Sequence, residues 1–489
     1  MWADIIYLQP IWLLILGHFA SAANVDWKTI TNSRGDKLPD FSFCGYHASD
    51  QDLPDATGAP LAVITPKTGD QTAEIQAALD GAAKAGGGIV QLGKGKFHIS
   101  PGLQIPSDTV LQGSGIPYTT LVVDKMVVGV PVLSLGNSVA AKIVPKQESQ
   151  ITDQYVGIGS STVTVKSADG LKAGQSVFVS RAVTADWVRY NGMADLVRDN
   201  EPQTWIGEGV LVQQPRQIKL ISGNKVTFNV PLTDSLDKKY MKPYIAVYTP
   251  PSGSKEIGLE KMSITHTPTC SGLKLNNTDP CGSSAIVVSP WTTDSWIRRV
   301  NITGFNSFLD IQSNSSRITV QRLGLIRDAD TDNGAGYPAD ITIKGTQILV
   351  RDSGQYGLST AKAFAVVTQS GTPGPNAVVR HVTQSSAQQL YPHARWAHGF
   401  LADDTDASVS FINRGTSGSG QGWSINAGVA WNVRGDVQIQ SPPLGVAWGI
   451  GSTGKIVSPT NGTMIQPESS VTPKSLFDAQ LSARQGSKG

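Results

Sequence analysis

The sequence has few charged residues and almost no net charge. Of 489 residues, 16% are Asp, Glu, Lys or Arg, and the formal net charge is +2 at pH 7. No run of Lys and Arg is long enough to follow a phosphate backbone, so the sequence predicts no nucleic-acid partner. Any partner has to be inferred from individual sites.

Cysteine is also scarce, with only three residues in the chain. Cys270 and Cys281 bracket a polar loop with little core of its own, and we expect a disulfide between them. Cys44 lies between Phe43 and Gly45, where nothing nearby would lower the pKa of its thiol. We therefore expect Cys44 to be buried and inert.

Long apolar runs are missing except at the N-terminus, in "IWLLILGHFA" (11–20). This run is shorter than the roughly 20 residues that a membrane-spanning helix needs. Ala20 and Ala22 fit a cleavage site, so residues 1–23 are predicted to be a signal peptide. Because Asp4 precedes the run and no Lys or Arg does, an uncleaved anchor is the alternative. The prediction is a secreted, extracellular protein that is free of the membrane after cleavage.

Four Asn-x-Ser/Thr triplets are predicted glycosylation sites: Asn276, Asn301, Asn314 and Asn461.

Glycine and proline are plentiful, with 51 and 28 residues. Short apolar strands such as "AIVVS" (285–289) and "FLDIQ" (308–312) recur between turn residues at intervals of about ten to twenty residues, which is typical of a solenoid. The segment from Asp70 has helical spacing of Ile75, Ala78, Leu79 and Ala82, and predicts a helix that ends before the glycines 86–88.

This pattern divides the chain into four parts after the signal peptide. They are an N-terminal extension (24–67), a β-helix domain (68–455), a small β insertion within it (about 150–250) and a loosely ordered C-terminal tail (456–489).

A resemblance supports this division. The run "GDQTAEIQAALDGAAKAGGGIVQLGKGKFHIS" (69–100), followed by "LQIPSDTVLQGSG" (103–115), resembles the opening of the pectate-lyase-like (pectin lyase fold) superfamily. "FSFCGYHASD", "PHARWAHGFLADD" and "NRGTSGSGQGWSINAGVAWN" resemble recurring blocks of a poorly characterised group of secreted fungal and bacterial members. Gln421 stands where this group would lead us to expect His.

The resemblance implies an all-β fold: a right-handed parallel β-helix with an N-terminal capping helix. A parallel β-helix presents aligned side chains along a shallow groove that fits a polysaccharide, and we expect a monomer that cleaves an acidic, uronate-containing polymer by β-elimination.

Candidate catalytic residues lie in "YPHARW" (391–396). β-Elimination needs a base to take the C5 proton of a uronate and a cation to stabilise the enolate-like intermediate. On a strand, His393 and Arg395 would share one face, as base and carboxylate-binding group. Tyr391 is a third proton carrier. The roles of His and Arg could be reversed, and the alternative without function is that both residues support a turn beneath Trp396.

Residues that bind sugar or carboxylate can be proposed from their type and neighbours. Tryptophan stacks on sugar rings but equally packs in cores, and Asp403 and Asp404 would point to opposite faces of one strand. The predicted substrate-binding residues are Trp396, Asp403, Asp404, Arg414, Trp423, His47, Trp187 and Arg216.

Two rivals remain open. A glycoside hydrolase would need two carboxyl groups across a sugar, with Asp328, Asp330 or Asp332 as partners for Asp403 or Asp404. The other rival is a non-catalytic carbohydrate-binding solenoid. The spacing of Asp328, Asp330 and Asp332 also resembles part of a calcium loop, although a solvated turn explains it as well. No motif identifies a cofactor, and the resemblance to pectate lyases implies calcium as the ion that would neutralise a uronate carboxylate.

Overall fold

The structure is a computed structural model that describes residues 22–139, 147–267, 269–270, 280–329 and 338–487. It is built on two parallel sheets. From residue 258 to residue 450 the chain passes back and forth between the two sheets, and strands of successive coils pair with each other. Two passes through the long sheet consist of two short strands each, Leu349–Arg351 with Gly354–Gly357 and Asn376–Val379 with Val382–Thr383. This is the topology of a parallel β-helix.

We call the two sheets the long sheet and the short sheet. The long sheet contains, in the described residues, Ala62–Ile64, Gly88–Leu92, Gly95–Ile99, Thr109–Gln112, Thr119–Val123, Gly258–His266, Thr293–Thr303, Ser316–Arg327, Leu349–Arg351, Gly354–Gly357, Asn376–Val379, Val382–Thr383, Ala397–Asp403, Ile425–Trp431, Ala447–Ile450 and Thr463–Ile465. The short sheet contains Leu103–Ile105, Leu133–Leu135, Ser284–Val288, Ser307–Ile311, Ala339–Ile343, Phe364–Thr368, Gln389–Leu390, Ser408–Phe411 and Val437–Ile439.

The register stacks apolar side chains inside the helix. One column runs through seven paired positions of the long sheet: Leu259, Ile297, Val320, Val350, Val378, Ala402 and Ala430. All seven are buried, because alternate residues of a strand face the interior. The strand rhythm of the sequence therefore arises from one continuous core.

The helix Thr72–Lys84 packs on the first strands of both sheets. Its buried residues Ile75, Leu79 and Ala82 belong to the main core, as the helical spacing predicts. Asp70 accepts a hydrogen bond from the Thr72 amide at 2.7 Å and so satisfies a free donor at the helix start. Gly87 follows the helix with φ +108, and a Cβ there would lie 2.3 Å from the Asp108 carbonyl oxygen.

An antiparallel insert lies between the first coils and the rest of the solenoid, and we call residues 147–248 the insert. Its main sheet contains Gln147–Gln150, Thr162–Thr164, Ser176–Ala182, Leu211–Ser222, Lys225–Phe228 and Tyr244–Tyr248. Two short pairs, Tyr155–Val156 with Leu236–Asp237 and Leu196–Arg198 with Glu201–Gln203, and the helix Ala185–Tyr190 complete it. The insert has its own apolar core around Val177, Ile218 and Phe228.

The segment after residue 455 differs from the loosely ordered tail that the sequence predicts. It contains the helix Leu476–Gly486, whose Leu476 and Phe477 are fully buried. Gln480 bonds the Phe41 amide and the Pro39 carbonyl, both at 2.9 Å. The physical reason is that the outer face of the long sheet is apolar at Leu401 and neighbouring positions, and the two terminal segments cover it.

The remaining helices are short turns: Trp27–Thr29, Tyr46–Ser49, Pro280–Gly282 and Ser417–Gly420. Ala23–Asn24 pairs with Val471–Thr472. Among the described residues no helix is long and apolar enough to cross a membrane.

The predicted disulfide Cys270–Cys281 is confirmed. Cys44 is fully buried, and burial raises the pKa of its thiol well above the usual value.

Candidate functional site

A cleft of 920 Å³ lies between the insert and the solenoid. One wall is the insert sheet, which contributes Ser176, Phe178 and Gln213. The other wall consists of the turns that lead into successive strands of the long sheet, at 250–255, 291–293, 313–317, 344–347, 369–373 and 395. Adjacent strands are about 4.8 Å apart, so six stacked turns span roughly 24 Å. The cleft is therefore long enough for several residues of a linear polymer.

The cleft is lined by cations and by no described carboxylate. Arg317 pairs with Asp294, and Lys344 lies 3.0 Å from Asp310. Neither acid is a lining residue of the cleft. The other lining cations have no ion pair with any described residue: Arg216, Lys255 and Arg395. Such a surface attracts a polyanion, because its positive charge is only partly balanced.

Arg216 is a buried member of this set and is 5% exposed. Its guanidinium donates hydrogen bonds to the carbonyls of Pro215 and Pro231 and to Oε1 of Gln214. Nε is buried and has no partner among the described residues. Burial lowers the pKa of Arg216 to about 9, so the group stays charged at neutral pH. Arg216 lines the cleft, and sugar binding by Arg216 stays a prediction.

Aromatic rings and amides complete the lining. Phe178 stacks on Tyr248 with ring centroids 4.0 Å apart, and Trp291 lies beside them. Rings of this kind can pack on sugar faces, and side-chain amides can bond sugar hydroxyls. The lining amides are Gln213, Gln217, Asn229, Asn314, Gln347 and Gln369.

The predicted strand face at 391–396 is not present. The described strands on either side end at Leu390 and begin at Ala397, and the residues between them form an irregular turn. Arg395 and Trp396 have left-handed φ angles of 47 and 61. His393 and Arg395 therefore do not lie at alternate positions of one strand. Arg395 reaches the end of the cleft and donates hydrogen bonds to the carbonyl and hydroxyl of Ser419, both at 2.7 Å.

The other predicted catalytic residues are close together. The Tyr391 ring lies under the Arg414 guanidinium, 5.2 Å away, and Arg414 Nη1 donates a hydrogen bond to the His393 carbonyl at 2.6 Å. Nε2 of Gln421 lies 3.3 Å from Nε2 of His393. Burial, with Arg414 and Arg395 nearby, lowers the pKa of His393 to about 4, so its imidazole is neutral at neutral pH. Arg414 lines a second cavity of 500 Å³, but Tyr391 and His393 do not line the main cleft.

The three predicted sugar-stacking tryptophans occupy a core instead. Trp187 and Trp396 are 1% exposed and Trp423 is 8% exposed, and they pack with Trp205 where the insert contacts the solenoid. Arg181 lies 4.3 Å over the Trp187 ring and pairs with buried Asp234, which also accepts from the Trp396 indole at 3.0 Å. The rings of Trp187 and Trp396 are therefore closed to a sugar, whereas Trp423 also lines the second cavity of 500 Å³.

Asp403 and Asp404 also serve the fold. Asp403 is fully buried and accepts hydrogen bonds from the Ser475 hydroxyl and from the amides of Leu476 and Phe477. Asp404 is 2% exposed and pairs with Arg434 and Lys474. Asp404 follows the end of the strand Ala397–Asp403 and has a φ of 51, so the alternation expected for one strand does not apply to it. Neither carboxylate lines the cleft, and both contact the C-terminal segment at Lys474 or Ser475.

His47 does not line the cleft, but it contacts two acids that sequence reasoning missed, and residues next to those acids line the cleft. Nε2 of His47 is 2.7 Å from Oε1 of Glu256, and the Tyr46 hydroxyl donates to Oε2 of Glu256 at 2.6 Å. The His47 amide donates to Asp294, which Arg317 holds with two hydrogen bonds. The only sequence signal was the block "FSFCGYHASD", since the acids come from separate coils.

The structure does not supply the carboxylate pair expected for a hydrolase at Asp403 or Asp404. Asp328 is exposed and accepts a weak hydrogen bond from Thr269 at 3.4 Å. Asp330 and Asp332 lie outside the described residues. The described lining of the cleft has no carboxylate and so does not fit a calcium ion bridging to a uronate.

A single described group of possible metal ligands, His266 with Cys270 and Cys281, has both thiols in the disulfide.

The predicted glycosylation sites occupy different settings. Asn301 lies within the strand Thr293–Thr303, whereas Asn314 and Asn461 are exposed. Asn314 lines the main cleft and Asn461 lines the second cavity. Asn276 lies outside the described residues.

The pairing of its strands defines the chain as a parallel β-helix protein. Comparison of its sequence with known proteins finds no relative. No protein-family model matches the chain, and no curated protein matches it. The structure is similar to the Streptococcus pneumoniae surface adhesin PfbA, at 10% identity and a TM-score of 0.43, over 83% of this chain and 81% of that one.

Two further solved structures are similar at lower scores. The tailspike gp49 from Pseudomonas phage LKA1 has 12% identity and a TM-score of 0.30, over 80% of this chain and 70% of that one. The mannuronan C-5 epimerase AlgE4 A-module of Azotobacter vinelandii has 9% identity and a TM-score of 0.28, over 84% of this chain and all of that one. Similarities this distant carry no conclusion about the chemistry, which rests on the cleft.

Proposed function

We propose that this chain is a secreted carbohydrate-active enzyme that binds an acidic, uronate-containing polysaccharide along the cleft and cleaves it by β-elimination. One observation carries the proposal: the stacked turns present Lys255, Arg317, Lys344 and Arg395, and the insert sheet presents Arg216 from the opposite wall, without a described carboxylate in the lining. A linear polyanion matches both the length and the charge of that surface.

The chemistry needs a base and a cation at the uronate. A base takes the C5 proton, the electrons of that C–H bond form the C4–C5 double bond, and the C4–O bond breaks as the leaving oxygen takes up a proton. Cations next to the carboxylate stabilise the enolate-like intermediate. In the assignment from sequence His393 is the base, Arg395 binds the carboxylate and Tyr391 is a further proton carrier.

A bound carboxylate would change the electrostatics at His393. Burial is the main cause of the lowered pKa of His393, about 4, and the charges of Arg414 and Arg395 lower it further. A uronate carboxylate between these two guanidiniums would compensate their charge and raise the pKa of His393. That would bring the imidazole closer to a useful base near neutral pH.

Non-catalytic binding is the second candidate function. It is favoured by one observation: of the three residues that the sequence assigns to catalysis, only Arg395 lines the cleft. In this alternative the same cations retain the polymer and no bond is broken.

Several features accompany the proposal. We infer right-handed winding, which is the usual hand of parallel crossovers, with the helix Thr72–Lys84 as the cap of the first coil. The proposal also includes the signal peptide 1–23, extracellular location, glycosylation at the four predicted triplets and a monomeric state.

A polymer panel tests the function. The secreted protein is incubated with pectate, alginate, glucuronan, glycosaminoglycans and neutral glucans, and both reducing ends and ultraviolet absorbance of an unsaturated uronate are followed. A lyase produces both signals on an acidic polymer, a hydrolase produces reducing ends alone, and a binding protein produces neither but is retained by the acidic polymers. No retention and no products on any acidic polymer would refute the proposal.

A further inference from the structure

His47 lies between two carboxylates in a network that crosses three coils. Nε2 of His47 is 2.7 Å from Glu256, and its Nδ1 is 3.9 Å from Asp294. The Tyr46 hydroxyl holds the second oxygen of Glu256 at 2.6 Å, and Arg317 holds both oxygens of Asp294 at 2.6 and 2.7 Å. Each carboxylate therefore has a fixed orientation toward the imidazole.

The backbone around this network is held in an unusual conformation. His47, Ala48 and Ser49 are three successive non-glycine residues with positive φ, between 45 and 56. The preceding Gly45 permits the tight approach, since a Cβ there would lie 2.8–3.1 Å from the side chains of Ser49, Thr319 and Leu349. Such conformations persist where surrounding contacts hold them, and they concentrate at functional sites.

The network borders the cleft directly. Arg317 belongs both to the network and to the lining, and Lys255, the residue before Glu256, also lines the cleft. His47 is not itself a lining residue, but its side chain is about one-third exposed, so a ligand held by Arg317 and Lys255 at this end of the cleft can reach it. An independent feature points to an anionic ligand: buried Arg216 lines the same cleft with an unpartnered Nε and no described carboxylate partner.

His47 and His393 differ in the charges that face them. His47 faces two carboxylates, whereas His393 faces two guanidiniums. An imidazolium forms during proton abstraction, and nearby carboxylates stabilise that cation while nearby guanidiniums oppose it. The surroundings of His47 therefore suit a base better than those of His393.

We propose that His47 is the proton-transfer residue of the cleft, with Arg317 as the group that binds the carboxylate of the reacting uronate. This rests on the proposed function. Glu256 accepts the proton on Nε2 in a hydrogen bond, so Nδ1 carries the lone pair that takes the C5 proton. The C4–C5 double bond forms, the C4–O bond breaks, the leaving oxygen takes a proton from water, and His47 returns its proton to solvent.

The matched test uses three histidine variants. His47→Gln, His393→Gln and His98→Gln make the same change at three sites, and His98 is the control because it also pairs with a carboxylate, Asp124 at 2.8 Å, on the exposed first coils. For whichever acidic polymer the wild type cleaves, kcat and KM come from the unsaturated-uronate absorbance, affinity from calorimetry, and folding from thermal unfolding.

The expected result is a loss of about 1,000-fold in kcat for His47→Gln, with affinity changed by less than about threefold. His98→Gln keeps wild-type kcat. Glu256→Gln can keep the hydrogen bond from the Tyr46 hydroxyl, and we expect it to lower kcat by about 10- to 100-fold and to shift the acidic limb of the pH–rate profile. The Glu256→Gln variant tests the role of His47 if His47→Gln does not fold.

Other outcomes overturn the inference. Wild-type kcat in His47→Gln, or a full loss in His393→Gln alone, would assign the base elsewhere. An acidic polymer that the wild type binds but never cleaves would refute the role of His47 while leaving polymer binding intact. Absence of both binding and cleavage would refute the proposed function itself.

Discussion

The Ser475 hydroxyl donates a hydrogen bond to Oδ2 of Asp403 at 2.6 Å and accepts one from the Asp478 amide at 3.1 Å. Through this pair a buried carboxylate of the long sheet anchors the first turn of the C-terminal helix. Because that helix covers an apolar face of the solenoid, the contact joins the end of the chain to its core.

Removing this carboxylate should loosen the C-terminal helix. Asp403→Ala leaves the Ser475 hydroxyl and two helix amides without their acceptor, and we expect the free energy of unfolding to fall by about 3 kcal/mol. Chemical denaturation measures the loss, and hydrogen exchange should accelerate in 476–486. Asp406→Ala is the control, since Asp406 is half-exposed and pairs with Arg434 at the surface. Equal stability of the two variants would contradict the anchoring role.

Buried His398 should make the fold sensitive to acid. Nδ1 of His398 lies 2.7 Å from the Thr233 hydroxyl. Burial lowers the pKa of His398 to about 4; nearby Asp234 raises this pKa, and Arg216 and Arg181 lower it. The unfolded chain, with a histidine pKa near 6.5, binds the proton more readily. Stability from this group is therefore complete above about pH 6.5 and is lost as the pH falls toward 4, by about 3 kcal/mol.

Comparing wild type with His398→Gln separates the pH-dependent stability due to His398 from that due to other titrating groups. The stability difference between the two proteins should shrink on acidification across that pH window. A difference that is independent of pH would show that His398 titrates normally in the fold.

The tryptophan core should hold the insert in place. Trp396→Ala opens a cavity among Trp187, Trp205 and Trp423 and removes the indole donor to Asp234, so we expect a loss of about 4 kcal/mol. The exposed Tyr190 of the insert provides the control, Tyr190→Ala, which should change stability by less than about 0.5 kcal/mol. Denaturation curves of both variants decide whether Trp396 is structural, as its burial indicates, or free to bind sugar.

The sequence predicts the solenoid because its physical cause is local. Strand rhythm reflects stacked inward positions such as Val320 and Val350, and the helical face of Ile75 and Leu79 matches the first core layer. The roles of Trp396 and Asp403 could not be predicted in the same way. Both face outward from the solenoid, and their burial depends on the insert and the C-terminal helix, which come from distant parts of the chain.

In the candidate site, too, some residues could be predicted from the sequence and others could not. Arg216 and Arg395 stood out in the sequence, and both line the cleft. Arg317, Lys344 and Glu256 did not, because no local motif marks them and the acids and cations that they meet come from other coils. Only the register of the long sheet brings Glu256, Asp294 and Arg317 into one column.

The most direct test of the account is the affinity of the cleft for an acidic oligosaccharide against its neutral counterpart. Calorimetry with an oligouronate and with the same oligosaccharide after carboxyl reduction compares the two ligands at low and high salt, using wild type and Lys255→Gln/Arg395→Gln. We predict binding of the acidic ligand about tenfold or more tighter than the neutral one, weakened by salt and by the double substitution, because the exposed cations supply the difference. Equal affinity for both ligands, unaffected by salt or by the substitutions, would contradict the account.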